Sequence, residues 1–335
     1  MERKGIAIAG NILTDNIKMI EDYPKKGMLV TITDQSLAIG GCVPNTGIDL
    51  KKLDKSLAVK AYGKVGNDEN GKYALEKMGS VGMDVSNVKI TDQMPTSYSD
   101  VMTVSSTGER TFFHNRGANK IFSIEDIDVD KIDCKIFHIG YLMLLDQFDK
   151  IEQDGTTPMS KLLKAVREKG IKTSIDIVSE SSGNFQKVVS SALPNCDYVI
   201  INEIEAGQIA GISPRNEDDT LNEQNIYEIM KKMMQMGINE KLVVHCPEKG
   251  FSLDKNDNFV SCPSRKIPKG FIKGSVGAGD AFCAGCLYSL YNDYSDEQML
   301  DFSNLVAINC LSQADSISGV CEKENLHKVL EEFNI

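Results

Sequence analysis

Gly274-Ser275-Val276-Gly277-Ala278-Gly279-Asp280-Ala281-Phe282 is the stretch that decides how the rest of the chain is read. Two glycines two residues apart permit a sharp turn that points several amide hydrogens into one small space. A helix is expected next, because Ala281 to Leu290 sets Phe282, Cys286 and Leu290 on one face, with Ala281, Ala284 and Gly285 small enough for close packing. A helix start carries partial positive charge and unpaired N–H groups, which suit a phosphate or the charge on a phosphoryl group in transfer. Asp280 stands beside that space as a proton acceptor. The plainer alternative is a Gly-rich turn with Asp280 capping a core helix.

The 335 residues suffice for two domains or one large α/β domain. A net charge of -11 argues against nucleic acid or an anionic membrane as the main partner. The apolar run within Met1 to Gly10 is too short for a signal segment, and no stretch approaches the roughly 18 apolar residues of a membrane span. Nine cysteines, an odd number without a framework, point to reduced thiols in a cytoplasm. Cys283 and Cys286 have CxxC spacing inside the expected helix. With only His114, His138, His245 and His327 in the chain, buried thiols are expected there and no zinc site is read.

Strands are expected at Gly5 to Ala9, Leu57 to Ala61, Lys135 to Ile139, Lys172 to Ile177, Tyr198 to Ile201 and Lys241 to His245. Helices are expected at Asp68 to Met78, Met159 to Lys169 and Ile226 to Met236. Such alternation implies a largely parallel sheet with helices on both faces and ligands at the carboxyl ends of its strands. Two stretches break it: Asn16 to Ile39, with a turn at Pro24 and Gly27, and Thr96 to Asn115, read as strands Ser97 to Val104 and Arg110 to His114. They are expected to form a small β-sheet lid, inserted as about 12–39 and 96–117 in a single domain of 1–335. An antiparallel edge of the main sheet is the alternative.

Ala38-Ile39-Gly40-Gly41-Cys42-Val43-Pro44-Asn45 runs through a double-glycine turn into a helix from Val43 to Leu53. Either the glycines only make the turn, or they let a hydroxylated ligand touch the backbone while Asn45 offers a donor and an acceptor. Asp15, placed in the loop after the first strand, is a solvated turn residue or a clasp for two hydroxyls. Asn202-x-x-Glu205 is close to a capping box, or holds a water-clad magnesium ion beside phosphates at a strand's carboxyl end. Arg265, Lys266, Lys269 and Lys273 form a solvated strand face or the one patch that attracts polyphosphate.

Taken in order, Asp15, Gly40-Gly41 with Asn45, Asn202-x-x-Glu205 and Gly277-Ala278-Gly279-Asp280 resemble the ribokinase (PfkB) family of carbohydrate and nucleoside kinases over nearly the whole chain. The resemblance implies a ribokinase-like three-layer α/β sandwich with a mainly parallel central sheet and a small β-sheet lid. It implies an ATP-dependent carbohydrate kinase with ATP and Mg2+, in which Gly277, Ala278 and Gly279 form an anion hole and Asp280 is the base. Asp15, Gly40, Gly41, Asn45 and Asn115 would hold a sugar or nucleoside acceptor. Asn202, Gly250, Ser275 and Asn304 would serve the nucleotide, and Glu205 the metal through water. The helix bordering the adenine pocket would be Asn304 to Ala314, and a homodimer could form through the lid. Phe112, Phe113 and His114 in that lid would cover the acceptor or pack the lid itself. A reference Asp pKa of about 3.9 makes Asp280 a weak base, sufficient for a late proton transfer.

Three departures stand out. Gly274-Ser275 replaces the family's Asp-Thr, removing a carboxylate associated with a monovalent cation, so weak or absent potassium activation is expected. Pro247 replaces a nucleotide-side Gly, taking away an N–H. Ser174-Ile175-Asp176-Ile177-Val178-Ser179 lacks the Asp-Asn-Arg of some sugar-acid and fructose-type members, which argues against an acidic sugar. A sugar- or nucleoside-binding protein that no longer transfers phosphate is the second reading, against which the retained Asp280 speaks. A dinucleotide-dependent oxidoreductase fares worse, since helix is expected to follow helix from Ala281 to Ser312 rather than strand to follow helix.

Overall fold

The computed structural model describes residues 3–178, 184–268 and 270–332. In chain order the elements are β1 (Ile6–Ala9), β2 (Leu13–Ile20), β3 (Ile32–Gly40), α1 (Cys42–Leu53), β4 (Val59–Gly66), α2 (Glu69–Ser80), β5 (Asp84–Thr91), β6 (Ser97–Val104), β7 (Arg110–Asn115), β8 (Ile136–Leu142) and α3 (Pro158–Glu168). They continue with β9 (Lys172–Ile177), α4 (Phe185–Ala192), β10 (Tyr198–Asn202), α5 (Glu203–Ala210), α6 (Glu223–Gln235), β11 (Lys241–His245), β12 (Lys249–Asp254), β13 (Phe259–Pro263), α7 (Ala278–Tyr291), α8 (Asp296–Leu311) and α9 (Leu326–Glu332).

Strand periodicity dictates the layers. In β1, Ala7 and Ala9 enter one apolar core while Ile6 and Ile8 enter another; in β10, Val199 and Ile201 part from Ile200 in the same way. Successive residues of a strand face opposite sides, so strands apolar on both sides need cover on both. Leu162 of α3, Val188 of α4 and Ile229 of α6 close one face. Ile48 of α1, Phe282 of α7 and Val306 of α8 close the other. Each such side chain, fully buried, contributes about 1.5–3 kcal/mol. The α7–α8 contact depends on Gly285, where a Cβ would fall 2.7 Å from the Ser303 Cα.

The large sheet has the order β13-β12-β11-β10-β9-β8-β1-β4-β5. Pairing is parallel from β11 through to β5 and antiparallel at β11–β12 and β12–β13. A separate sheet, β3-β2-β6-β7, stands apart from it, as the broken alternation predicted. Asp68 ties the two together: one carboxylate oxygen caps α2 through the Gly71 N–H at 2.8 Å, and the other accepts the Thr96 N–H, just before β6, at 2.8 Å. Phe112 and Phe113 of β7 are 53% and 56% exposed, so they pack no core within this chain.

Some expectations need correction. Asp15 lies inside β2, opposite Ala38 and Ser99, and not in a loop, because the chain re-enters a strand at Leu13. The helix expected at Asn304 to Ala314 starts earlier, at Asp296, where Ser295 and Gln298 form a capping box. Ser179 and Lys269 lie outside the described residues.

Candidate active site

Gly277 caps α7 with φ 83, and a Cβ there would lie 2.4 Å from the Cβ of Ser316, so both conformation and space demand glycine. No side chain caps this helix. Among the described residues the N–H groups of Gly277, Gly279 and Asp280 have no acceptor, and that of Ala278 reaches only the Ser275 carbonyl at 3.4 Å. Gly279 is exposed, and a Cβ on it would meet nothing nearer than His245 Cε1 at 3.7 Å. Glycine in a helix costs about 0.5–1 kcal/mol relative to alanine. No neighbour within the protein requires it here; the open space is a bare backbone cradle.

Asp280 sits in the first turn of α7, only 7% exposed. Its Oδ2 accepts Asn45 Nδ2 at 3.0 Å and the Tyr141 hydroxyl at 2.9 Å. Ser316 Oγ donates to Asn45 Oδ1 at 2.8 Å, fixing the amide so that its nitrogen faces the carboxylate. Burial, reinforced by the charge of Asp176 and opposed by Asn45 and Tyr141, pushes the Asp280 carboxyl up to about 7. It is thus a stronger base than the reference carboxylate assumed from sequence. Asn45 has its amide largely committed to Asp280 and Ser316, so it orients that carboxylate.

The glycine pair before α1 gathers the remaining acceptor-side candidates. A Cβ on Gly40 would come 2.7 Å from Asp15 Oδ2, and one on Gly41 would strike the Asn11 carbonyl at 2.5 Å. Burial raises the Asp15 carboxyl above its ordinary value, against the Ser99 hydrogen bond and the Arg110 charge. Asn11 Nδ2 is buried without a protein partner among the described residues. Asn115, at the end of β7, is exposed and accepts the Gly117 N–H at 2.9 Å; among the described residues no hydrogen bond joins it to Asp280.

A cleft of about 380 Å³ opens at the carboxyl ends of the parallel strands, lined by Tyr141, Asp176, Asn202, Glu205, Gly279 and Asp280 among others. Asn202 and Glu205 form a reciprocal capping box at the start of α5, with Glu205 N–H donating to Asn202 Oδ1 at 2.8 Å and Asn202 N–H donating to Glu205 Oε2 at 3.1 Å. The capping box and the cleft position coexist. Their hard oxygen donors suit a hydrated magnesium ion, which keeps most of its waters. Gly250 does not join the cleft. It pairs with His245 in the sheet, where a Cβ would press Leu300 and Phe282 at 3.2 and 3.3 Å. Asn304 is buried on α8, its Nδ2 3.5 Å from the Cys262 carbonyl, and Ser275 lies in the loop before the cradle. Pro247 sits exposed in the β11–β12 turn. Arg265 is paired with Asp301 at 2.9 Å, whereas Lys266 and Lys273 are exposed with no ion pair among the described residues.

A family model described as pfkB family carbohydrate kinase matches residues 4–322. The chain belongs to that family. It is an enzyme, a carbohydrate kinase. It is 23% identical to ribokinase of Arabidopsis thaliana over 97% of this chain and 80% of that protein. It is 24% identical to deoxyribokinase of Salmonella typhi over 87% of each. The solved structure of Arabidopsis thaliana ribokinase complexed with ribose and ATP matches with a TM-score of 0.80 at 20% identity, covering 98% of this chain and 99% of that one, which establishes the fold.

Sequence reasoning gave this pfkB-family kinase no role for Tyr141, yet its hydroxyl touches Asp280. Its φ of 61 is a left-handed conformation that a bulky residue rarely takes, and it follows Gly140 at the end of a buried strand. Only position at a strand's carboxyl end could have flagged it. His245 was read as a strand end. It lines the cleft, and burial lowers its imidazole to about 4, so it is neutral at pH 7.

Proposed function

We propose that this kinase moves the γ-phosphate of ATP to a hydroxyl of a sugar or sugar-like acceptor in the cleft above α7. The observation that carries the reading is the pairing of open N–H groups at Gly277 and Gly279 with an adjacent buried carboxylate, Asp280, whose proton affinity is tuned near neutrality. In this reading the acceptor O–H gives its proton to Asp280 as the oxygen attacks the γ-phosphorus. The bond from that phosphorus to the bridging oxygen breaks, and ADP departs. Little covalent work falls to the protein, so alignment and charge stabilisation supply the rate. The cradle amides face the equatorial oxygens, and Asn45 with Tyr141 holds Asp280 Oδ2 so that Oδ1 meets the acceptor.

Asp15, Gly40 and Gly41 hold further acceptor hydroxyls, with Asn115 at the edge of the small sheet, which serves as a lid. Asn202, Ser275 and Asn304 lie on the nucleotide side, and Gly250 supports that side from the sheet behind it. Magnesium, bound through water by Glu205 and Asn202, supplies charge neutralisation at the phosphates. The nine cysteines are all unpaired, as in a reducing cytoplasm, and no helix among the described residues is long and apolar enough to cross a membrane. The exposed Phe112 and Phe113 on the small sheet, with exposed Leu29 in the β2–β3 connection, favour that side as the surface through which a homodimer would form.

The test is ADP formation from Mg-ATP across ribose, deoxyribose, fructose, inosine and adenosine, with Asp280→Asn as control. Turnover on one acceptor that vanishes in the variant supports the reading. Tight binding of an acceptor with wild type and variant equally inert would replace it with a binding function.

A further inference from the structure

Directly beneath the cleft, three buried side chains from separate elements meet, and a fourth, Cys283, borders them through His138. Cys42 opens α1, His138 is in β8, Asp176 in β9 and Cys283 in α7. One donor atom from each of Cys42, His138 and Asp176 lies within 4.8 Å of the others, and all three residues are buried. His138 Nε2 is 3.3 Å from Asp176 Oδ2 and 3.8 Å from Cys283 Sγ. A tetrahedral ion with bonds of about 2.0–2.3 Å holds its donor atoms about 3.3–3.7 Å apart; the two separations at His138 are close to that range, and the Cys42 thiol, within 4.8 Å of its neighbours, would draw inward on binding. Gly140 makes the cluster possible, since a Cβ there would lie 2.0 Å from Cys42 Sγ and 2.8 Å from both Asp176 oxygens.

The surrounding hydrogen bonds fit the same purpose. His138 Nδ1 is 3.0 Å from Ser174 Oγ, and a hydroxyl can accept Nδ1–H as readily as donate to Nδ1, so Nε2 is able to present its lone pair. Asp176 Oδ1 accepts the Tyr141 N–H while Oδ2 faces the cluster, the arrangement that orients a ligating carboxylate from behind. Cys286, the other half of the CxxC, turns away to Ser303. That is why the spacing in sequence misses the grouping.

We propose that Cys42, His138, Asp176 and Cys283 bind one thiophilic divalent ion, zinc by donor set, in a site distinct from the one for magnesium and ATP. Two thiolates, one imidazole and one carboxylate select zinc over magnesium, which takes oxygen donors and keeps its waters. On binding, each Sγ–H loses its proton to solvent, and His138 coordinates neutral through Nε2. Without the ion burial holds both thiols far above their ordinary value, so the metal-free cluster carries protonated thiols. Asp176 and Cys283 also line the cleft, which gives an ion an entry route.

The test uses the full chain, metal-free and without nucleotide or acceptor. Titration with Co2+ is expected to give thiolate-to-cobalt absorption that saturates at one equivalent and is abolished by one equivalent of Zn2+. The absorption is expected to be lost in Cys42→Ala and in Cys283→Ala and kept in Cys286→Ala. X-ray absorption at the zinc edge of the wild type, which needs no variant, is expected to show two sulfur and two nitrogen or oxygen neighbours. Absorption absent from the wild type, absorption unchanged in both ligand variants, or zinc surrounded by oxygen alone would each overturn the proposal.

Discussion

The Tyr141 hydroxyl donates at 2.9 Å to Asp280 Oδ2, the same oxygen that Asn45 Nδ2 reaches at 3.0 Å. Burial and the neighbouring charges of Asp280 and Asp176 hold the phenol well above its ordinary value, so it stays a donor. Both donors stabilise the ionised carboxylate and set its orientation. A hydrogen bond to a charged group is worth about 1.5 kcal/mol or more, close to one pH unit. Tyr141→Phe is therefore expected to move the acid limb of kcat/KM upward by about one pH unit, with a smaller loss at high pH where Asp280 is ionised anyway. An unmoved limb would mean that the phenol only fills space.

Asp280 itself links activity to stability with opposite signs. Its folded value near 7 stands above the usual carboxylate range. With Asp280 as the proposed base, activity needs the ionised form and is expected to rise with pH through about 7. The proton bound in the folded state contributes stability that is full below about pH 4 and lost as pH rises through about 7. Asp280→Asn keeps the shape without the charge. It should abolish transfer while its Tm advantage over wild type widens from pH 5 to pH 8, a difference that paired thermal melts would read. A constant gap would place the carboxyl in an ordinary environment.

Much of the body was legible because burial writes itself into periodicity: β1, β8, β10 and β11 carry apolar residues on both faces and β9 on one, and their ends fell within a few residues of expectation. β5, β12 and β13 escaped because the edge strand Asp84–Thr91 is largely polar, and the two short hairpin strands, Lys249–Asp254 and Phe259–Pro263, carry Gly, Ser and Pro among few apolar residues and read as loop. In the site, Gly277 and Asp280 were visible as local chemistry. Asn45 was seen, although its role as an orienting group depends on Ser316, 271 residues away in sequence. Tyr141, His138 and Asp176 gain meaning only from the register that brings β8 beside β9, which no local pattern encodes.

The two cradle glycines should separate stability from function. Gly279→Ala adds a methyl that meets no protein atom closer than 3.7 Å. Helix propensity then predicts unchanged or slightly higher stability, by about 0.5–1 kcal/mol. The methyl occupies the space assigned to the phosphoryl group, so turnover should fall at least about 100-fold. Gly277→Ala, strained by φ 83 and overlapping Ser316, should instead lower Tm. Full activity in Gly279→Ala would show that the phosphoryl group lies elsewhere.

The departure at Gly274 predicts how the enzyme responds to monovalent cations. A side chain at this position would begin 2.7 Å from the Ala314 carbonyl oxygen and 3.1 Å from its carbonyl carbon. The backbone there is closed against the segment after α8, so the missing carboxylate could not be restored without displacing that segment. Potassium chloride and tetramethylammonium chloride at equal ionic strength should accordingly give the same rate. Gly274→Asp should not create a potassium response, and it should cost about 1–3 kcal/mol through overpacking, visible as a lower Tm. Strong stimulation of the wild type by potassium would require other oxygens near the cradle to hold the ion, and would sever this position from the cation response.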